Sequence, residues 1–225
     1  MIKMRLRFSK SGNLRFIGHL DFLKVFQQTL GRSKLPVAYS QGFNPHMLLS
    51  FALPLPLGMT SIHDYADLTL DTELPEDKII SRINACAPGG LVVSGAQAFG
   101  GPGAAALVVA ADYILLAELD ADDSTLVEDR IKSVLSSESI IIPKKTKSGI
   151  KDTDIRPDIM DISMAEQHIK MRLAAGSARF LNPLIVAGLL LGRDASPATI
   201  TRTELYCHTT GEGDEDAFIP LLTKS

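Results

Sequence analysis

Two histidines of this sequence lie where side chains could exchange protons with a bound substrate. His19 comes at the start of a predicted helix, and His46 follows the turn-forming pair Asn44-Pro45. If both reach one edge of a sheet, they could act as general acid and base in RNA cleavage. The alternative is that His19 caps the helix and His46 closes a turn, and the sequence favours this structural role.

Positive charge is concentrated at one end of the chain. The first 50 residues contain eight Lys and Arg and one acidic residue, a net charge of +7, whereas the whole chain has a net charge of −3. Such separation of charge is typical of a protein with a phosphate-rich partner, although a solvated surface balanced by acidic neighbours would look the same. The candidate phosphate-binding residues are Lys3, Arg5, Arg7, Lys10, Arg15, Lys144, Lys145 and Arg156.

Metal and cofactor chemistry find no support in the residue spacing. Neither helical nor hairpin spacing connects His19, His46 and His63, and the two cysteines, Cys86 and Cys207, are far apart in apolar surroundings. The glycines of Gly100–Gly103 follow an apolar strand, but the stretch after them is too short for the crossover helix of a dinucleotide site. We therefore expect reduced thiols, no metal and no cofactor in this chain.

The hydrophobic periodicity predicts an α+β fold built from two tandem ferredoxin-like (βαββαβ) halves with antiparallel sheets. The predicted units are a first half at 1–99, a Gly/Pro hinge at 100–110, a second half at 111–208 and a polar tail at 209–225. The predicted strands are 2–9, 37–40, 48–53, 65–70, 91–98, 113–119, 140–142, 159–164, 167–174 and 199–208, and the predicted helices are 20–32, one starting at Pro75, 122–136 and 183–191.

Alternation within the predicted strands gives the basic residues a common location. Lys3, Arg5 and Arg7 in the first half should project from the face opposite the apolar residues, as should His168, Lys170 and Arg172 in the second. An open sheet with basic and aromatic side chains is a recurring surface for single-stranded RNA.

Three runs of sequence also carry a family resemblance. They are RFSKSGNLRFIGHLD at 7–21, LPVAYSQGFNPH at 35–46 and SFALPLPLG at 50–58. These runs resemble the domain of unknown function that is found with radical SAM proteins, either at the end of a radical SAM chain or as a separate protein. The motif residues of the resemblance are Ser9, Gly12, His19, Asp21, Phe43, Asn44, Pro45 and His46.

The resemblance implies a radical SAM partner on a separate chain, because two distant cysteines cannot supply the three thiolates of such a cluster. Together with the basic N-terminus, it predicts a cytoplasmic accessory module that binds RNA or another phosphate-bearing substrate and presents it to that partner. This chain is not expected to be an enzyme on its own or to enter a membrane. The alternatives are a metal-independent endoribonuclease of tandem ferredoxin-like fold and a protein–protein adaptor that binds no nucleic acid.

Overall fold

The computed structural model describes residues 1–146, 149–165, 168–208 and 218–222, with the side chains of 145, 146 and 198 outside the description. The helices are α1 (His19–Ser33), α2 (Glu76–Asn84), α3 (Ala104–Leu107), α4 (Ala121–Ser136) and α5 (Pro183–Leu191). The strands are β1 (Ile2–Lys10), β2 (Leu49–Phe51), β3 (Thr60–Leu70), β4 (Leu91–Ala98), β5 (Ala110–Leu116), β6 (Ile141–Thr146), β7 (Gly149–Asp154), β8 (Ile159–Ala165), β9 (His168–Ala174), β10 (Ile200–His208) and β11 (Phe218–Pro220). The fold is a mixed α+β fold, as predicted.

Nine of the described strands form one continuous sheet. Its order is β4-β1-β3-β10-β5-β9-β8, with β2 on β3 and β11 on β10, while β6 and β7 form a separate hairpin. All pairs in the sheet are antiparallel except β10 and β3, which pair in parallel at Thr201–Thr60 and Arg202–Ser61. The prediction of purely antiparallel sheets was therefore wrong, because the part of β3 that β2 leaves unpaired accepts β10.

Local sequence signals account for most element boundaries. The side chain of Asp120 accepts a hydrogen bond from the Asp123 backbone N–H at 2.8 Å and caps α4. Asn182 caps α5, which ends at Gly192 in the left-handed conformation. The predicted strand at 37–40 instead forms isolated bridges, and β3 begins five residues earlier than predicted.

Two hydrophobic clusters pack beneath the helices. The first joins β1, β3 and β4 to α1 and α2, and its centre is a group of aromatic rings, Phe8, Phe22, Phe26 and Phe51, with centroids 5.3–6.1 Å apart. The second cluster joins the strands of the second half to α4 and α5. It also takes in Ala52, Leu55, Met59 and Tyr65 from the first half, so apolar packing crosses between the halves.

The predicted hinge and tail contain ordered structure. Within the hinge, the backbone N–H of Ala104 donates to the Asp67 carboxylate at 2.5 Å, which holds the start of α3 against β3. In the tail, β11 pairs with β10, and Leu221 and Leu222 are buried. Residues 218–222 are therefore part of the fold and not a loose polar tail; the rest of the predicted tail lies outside the described residues. The domain boundaries themselves stay a prediction.

A buried ion pair joins the two halves. Arg202 on β10 is fully buried and lies 2.6 Å from the Asp64 carboxylate on β3, which is itself almost fully buried. Arg202 also donates to the backbone carbonyls of Leu53 at 2.9 Å and Pro54 at 3.3 Å. These contacts replace the water that the guanidinium loses on burial. Without them, the buried charge would strongly destabilise the folded protein.

None of the helices in the described part of the chain combines the length and the apolar character needed to cross a lipid bilayer.

Removing one member of the buried pair should be strongly destabilising. We expect Asp64→Ala to lower the free energy of unfolding by about 3–5 kcal/mol, because Arg202 would keep its buried charge without a counterion. Urea denaturation measures this loss. The matched control is Asp129→Ala, which breaks the exposed Lys132–Asp129 pair and should cost less than about 1 kcal/mol. Equal effects of the two substitutions would contradict this account of the junction.

Candidate binding face

The sheet has one face covered by α1, α2, α4 and α5 and an opposite face that carries most of its polar side chains. We call the opposite face, which bears Lys3, Arg5 and Arg7 on β1 and His168, Lys170 and Arg172 on β9, the polar face. On both strands the neighbouring apolar residues are buried beneath the helices. Strand alternation therefore places these six residues as predicted, but it does not decide which of them are free to bind.

Arg5 is not free. Its guanidinium contacts both oxygens of the Asp67 carboxylate at 2.8 and 3.2 Å, donates to the Pro102 carbonyl and lies 4.4 Å from the centre of the Phe99 ring. The residue is 6% exposed. The prediction that Arg5 binds phosphate is corrected here, since the segment after β4 folds over it and a carboxylate already neutralises its charge.

Lys10 is buried on the opposite side of the sheet, beneath the helices. Its ammonium group donates to the Ile17 carbonyl at 3.2 Å and lies 4.8 Å from the centre of the Phe22 ring. Burial lowers the pKa of Lys10, the nearby Asp64 carboxylate opposes that change, and Arg202 adds to it. Lys10 follows Phe8 by two residues and so shares its buried face, which removes it from the predicted phosphate-binding set.

The other predicted cations include residues held by contacts within the protein and residues exposed to solvent. Arg156 donates to the carbonyls of Ile159 and Leu135, both at 2.8 Å, and so fixes the base of the β6–β7 hairpin. Arg15 is half-buried beside the Phe16 ring. Lys3 and Lys144 are exposed, Arg7 is half-buried, and the side chain of Lys145 lies outside the described residues.

The two candidate catalytic histidines line different cavities. His46 closes its loop, because its ring Nδ1 lies 2.8 Å from the Ser40 hydroxyl and its backbone carbonyl accepts from the Ser40 N–H. His19 is the first residue of α1, follows the N-cap residue Gly18, and packs its ring against Phe51. No hydrogen bond or cavity brings the two imidazoles together within the described residues, so the structure does not support an acid–base pair.

The loop that carries the second family motif protrudes from the protein. Phe43, Asn44 and Pro45 are all exposed, and Phe43 is as exposed as a free side chain. In the first motif, Ser9 continues β1, Gly12 has a positive φ of 55°, and Asp21 forms an exposed pair with Lys24. An exposed phenylalanine at a loop tip contributes little to the core, so the loop is suited to contact with another molecule.

An open cleft of about 310 Å³ lies beside this loop on the polar face. Its lining residues are Lys3, His46, Met47, Leu48, Leu49, Ser50, Asp67, Leu68, Thr69, Phe99 and Gly103. The cleft therefore combines one exposed cation, an imidazole, two hydroxyl groups, an aromatic ring and the Asp67 carboxylate, whose charge is neutralised by Arg5. Its volume is at the lower end of the range for ligand-binding pockets, roughly 300–1,000 Å³.

Two hydrogen-bonded networks on the polar face were not predicted from the sequence. The Arg172 guanidinium contacts the Asp112 carboxylate at 2.7 and 2.8 Å, and the same carboxylate accepts a hydrogen bond from the Tyr206 hydroxyl. The hydrogen bond from Arg172 to Asp112 raises the pKa of Arg172 above its usual value. The second network joins His63 and Tyr65 to Glu204. The hydrogen-bonded partners in both networks are 60 to 141 residues apart in sequence, so no local motif signals them.

The lowered pKa of Lys10 should make the free energy of unfolding depend on pH. A folded state that holds this proton less tightly than the unfolded chain should gain stability as the pH rises toward the ordinary lysine value of 10.5. We therefore expect wild-type protein to gain stability relative to Lys10→Met over the pH units just below 10.5. Urea denaturation at a series of pH values measures the difference; a constant difference would contradict the lowered pKa.

Comparison with known proteins identifies a family. No curated protein matches the chain. A family model described as an uncharacterized protein conserved in bacteria (DUF2344) matches residues 3–183. This match covers β1 through the start of α5 and includes the cleft, the protruding loop and Lys10. The chain therefore belongs to DUF2344, a family of uncharacterised proteins conserved in bacteria.

Proposed function

We propose that this protein is an accessory module that binds RNA or another phosphate-bearing substrate and presents it to a radical SAM protein on a separate chain. The observation that carries the proposal is the cleft at the protruding loop, which joins Lys3 of the basic strand, His46 of the second motif and Phe99. The basic N-terminal strand, identified by its charge, supplies Lys3 to this cleft, and the second motif, identified by family resemblance, supplies His46.

The cleft residues offer the interactions that a nucleotide requires. Lys3 is exposed, and its ammonium group lies 6.0 Å from the centre of the Phe99 ring, which also contacts the Arg5 guanidinium at 4.4 Å. A phosphate on Lys3 would therefore place its base beside this ring. Stacking on an aromatic ring contributes about 1–3 kcal/mol per base to single-strand binding. Ser50 and Thr69 add hydroxyl groups that can bind phosphate or ribose oxygens.

Presentation to a partner is consistent with the position of the loop. Phe43 extends into solvent beside a cleft that is open on one side, so a second protein could contact the loop and the bound substrate together. The radical chemistry and its cluster would belong to that protein. The endoribonuclease alternative has no support from His19 and His46, which line separate cavities.

We also propose that each half has a ferredoxin-like fold. In the first half the strand order is β4-β1-β3-β2, and in the second it is β10-β5-β9-β8. Numbered within its own half, and with the separate β6–β7 hairpin left out, each order is 4-1-3-2 with a helix in both crossovers. This order supports two ferredoxin-like units joined through β3 and β10. Such units would present one shared polar face.

A labelled single-stranded RNA should report binding at the cleft. We expect the double variant Lys3→Glu with His46→Ala to weaken binding at least tenfold, because it replaces the exposed cation with a carboxylate and removes the imidazole. Fluorescence anisotropy at several salt concentrations measures affinity, which should fall by roughly 0.7 log units per log unit of salt for each phosphate contacted.

The matched control for charge is Lys132→Glu on α4, an exposed lysine on the other side of the molecule from the cleft. It should leave the affinity nearly unchanged. RNA binding that is equal in the wild type and the cleft variant, or that does not depend on salt, would remove nucleic acid from the proposal and leave the adaptor function.

The proposed partner can be tested by affinity purification of the tagged chain from its native cell. Mass spectrometry should identify a radical SAM protein with the wild type, and Phe43→Ala should reduce its recovery because the loop loses its exposed ring. The control is Leu126→Ala, which shortens an exposed apolar residue of α4. Recovery of the same radical SAM protein with all three baits would exclude the loop as its contact, and its absence from all of them would contradict the partnership.

A further inference from the structure

A histidine on the polar face is held by a carboxylate and leaves one ring nitrogen unused. The His63 Nδ1 lies 2.9 Å from the Glu204 carboxylate on the neighbouring strand. The other Glu204 oxygen accepts from the Tyr65 hydroxyl at 2.5 Å and from the Leu205 backbone N–H at 2.9 Å. Within the described residues, His63 Nε2 forms no hydrogen bond, and the His63 side chain is 35% exposed.

This hydrogen-bond pattern determines where neutral His63 carries its proton. A carboxylate only accepts hydrogen bonds, so Nδ1 must be the donor to Glu204. Nε2 of neutral His63 is then an acceptor with a free lone pair at the protein surface. Glu204 is mostly buried, with a side chain that is 12% exposed, and its two further donors keep the carboxylate and hence the imidazole in a defined orientation.

Two strand irregularities converge on this pair. The pairing of β1 with β3 shifts register between Phe8 and Lys10, opposite His63, and the pairing of β10 with β5 shifts between Arg202 and Glu204. Each shift inserts an extra residue and changes the direction of a side chain. Bulges of this kind are frequent beside functional sites, where they aim a side chain.

We propose that His63 Nε2 accepts a hydrogen bond from a ribose 2′-hydroxyl and thereby makes the protein prefer RNA to DNA. This inference rests on the proposed function and identifies the bound phosphate-bearing polymer as RNA. The 2′-hydroxyl is the donor that distinguishes RNA from DNA, and a fixed acceptor with no protein partner is complementary to it.

The position of His63 also constrains the ligand. Asp67 is the cleft residue on β3 nearest to His63, and the two are four residues apart, about 14 Å at 3.4 Å per residue. A mononucleotide in the cleft could not reach His63. The contact therefore belongs to a polymer that extends beyond the cleft, and His63 is a specificity-determining residue outside it.

The test compares three oligouridines of about ten nucleotides, a length within the usual range of single-strand sites: ribose, deoxyribose and 2′-O-methyl ribose. For wild-type protein we expect the ribose form to bind about tenfold more tightly than the other two, since both lack the hydroxyl donor. His63→Ala should abolish this ratio and leave the affinity for the deoxyribose form unchanged. A ratio between two ligands is insensitive to partial loss of folded protein.

Two further measurements complete the test. His208→Ala removes another exposed histidine, on β10, and should leave the ratio unchanged. Nitrogen-15 NMR of the imidazoles should show His63 protonated at Nδ1 in wild-type protein and lose this preference in Glu204→Gln. Equal wild-type binding of the ribose and deoxyribose forms, or an unchanged ratio in His63→Ala, would overturn the inference alone. Failure to bind any of the three would overturn the proposed function together with it.

Discussion

The buried pair between Asp64 and Arg202 is the constraint on which the arrangement of the two halves depends. Two charges with almost no exposure are tolerated only if each has its partner, so β10 must lie beside β3 in one register. That register joins the strands of both halves into one sheet. It also brings Glu204, two residues along β10, to His63 and Tyr65.

Burial divides the basic residues of the N-terminal stretch into two groups. Arg5 and Lys10 are inside the protein, where a carboxylate, backbone carbonyls and aromatic rings replace water around their charges. Lys3 stays in solvent at the rim of a cleft. The charge of this stretch therefore overstates the cations available to a ligand, and the proposed binding surface is local, centred on Lys3 and His46.

On the polar face, Arg5 and Arg172 are each paired with a carboxylate. Arg172 is held by Asp112 and stacks at 4.5 Å on the Tyr206 ring, so it stabilises the sheet more than it attracts phosphate. Where a polar group keeps an unused hydrogen-bonding position, as His63 does, the paired neighbours serve to orient it. The ligand that we propose for this face would be recognised by specific contacts of this kind.

Sequence alone determined the α+β class, most strands and helices, and the faces of β1 and β9, because periodicity and capping are local properties that each segment carries itself. Asn182 and Gly192, for example, mark the ends of α5 without any tertiary context. Only the tertiary structure decided that β10 pairs in parallel with β3, that Arg5 and Lys10 are buried, and that His63 meets Glu204. Their partners lie between 7 and 141 residues away, and the segment at 99–102 that covers Arg5 contains no local signal for where it docks. Pairing and burial at such distances depend on how the whole sheet assembles, which a periodicity of two or 3.6 residues cannot encode.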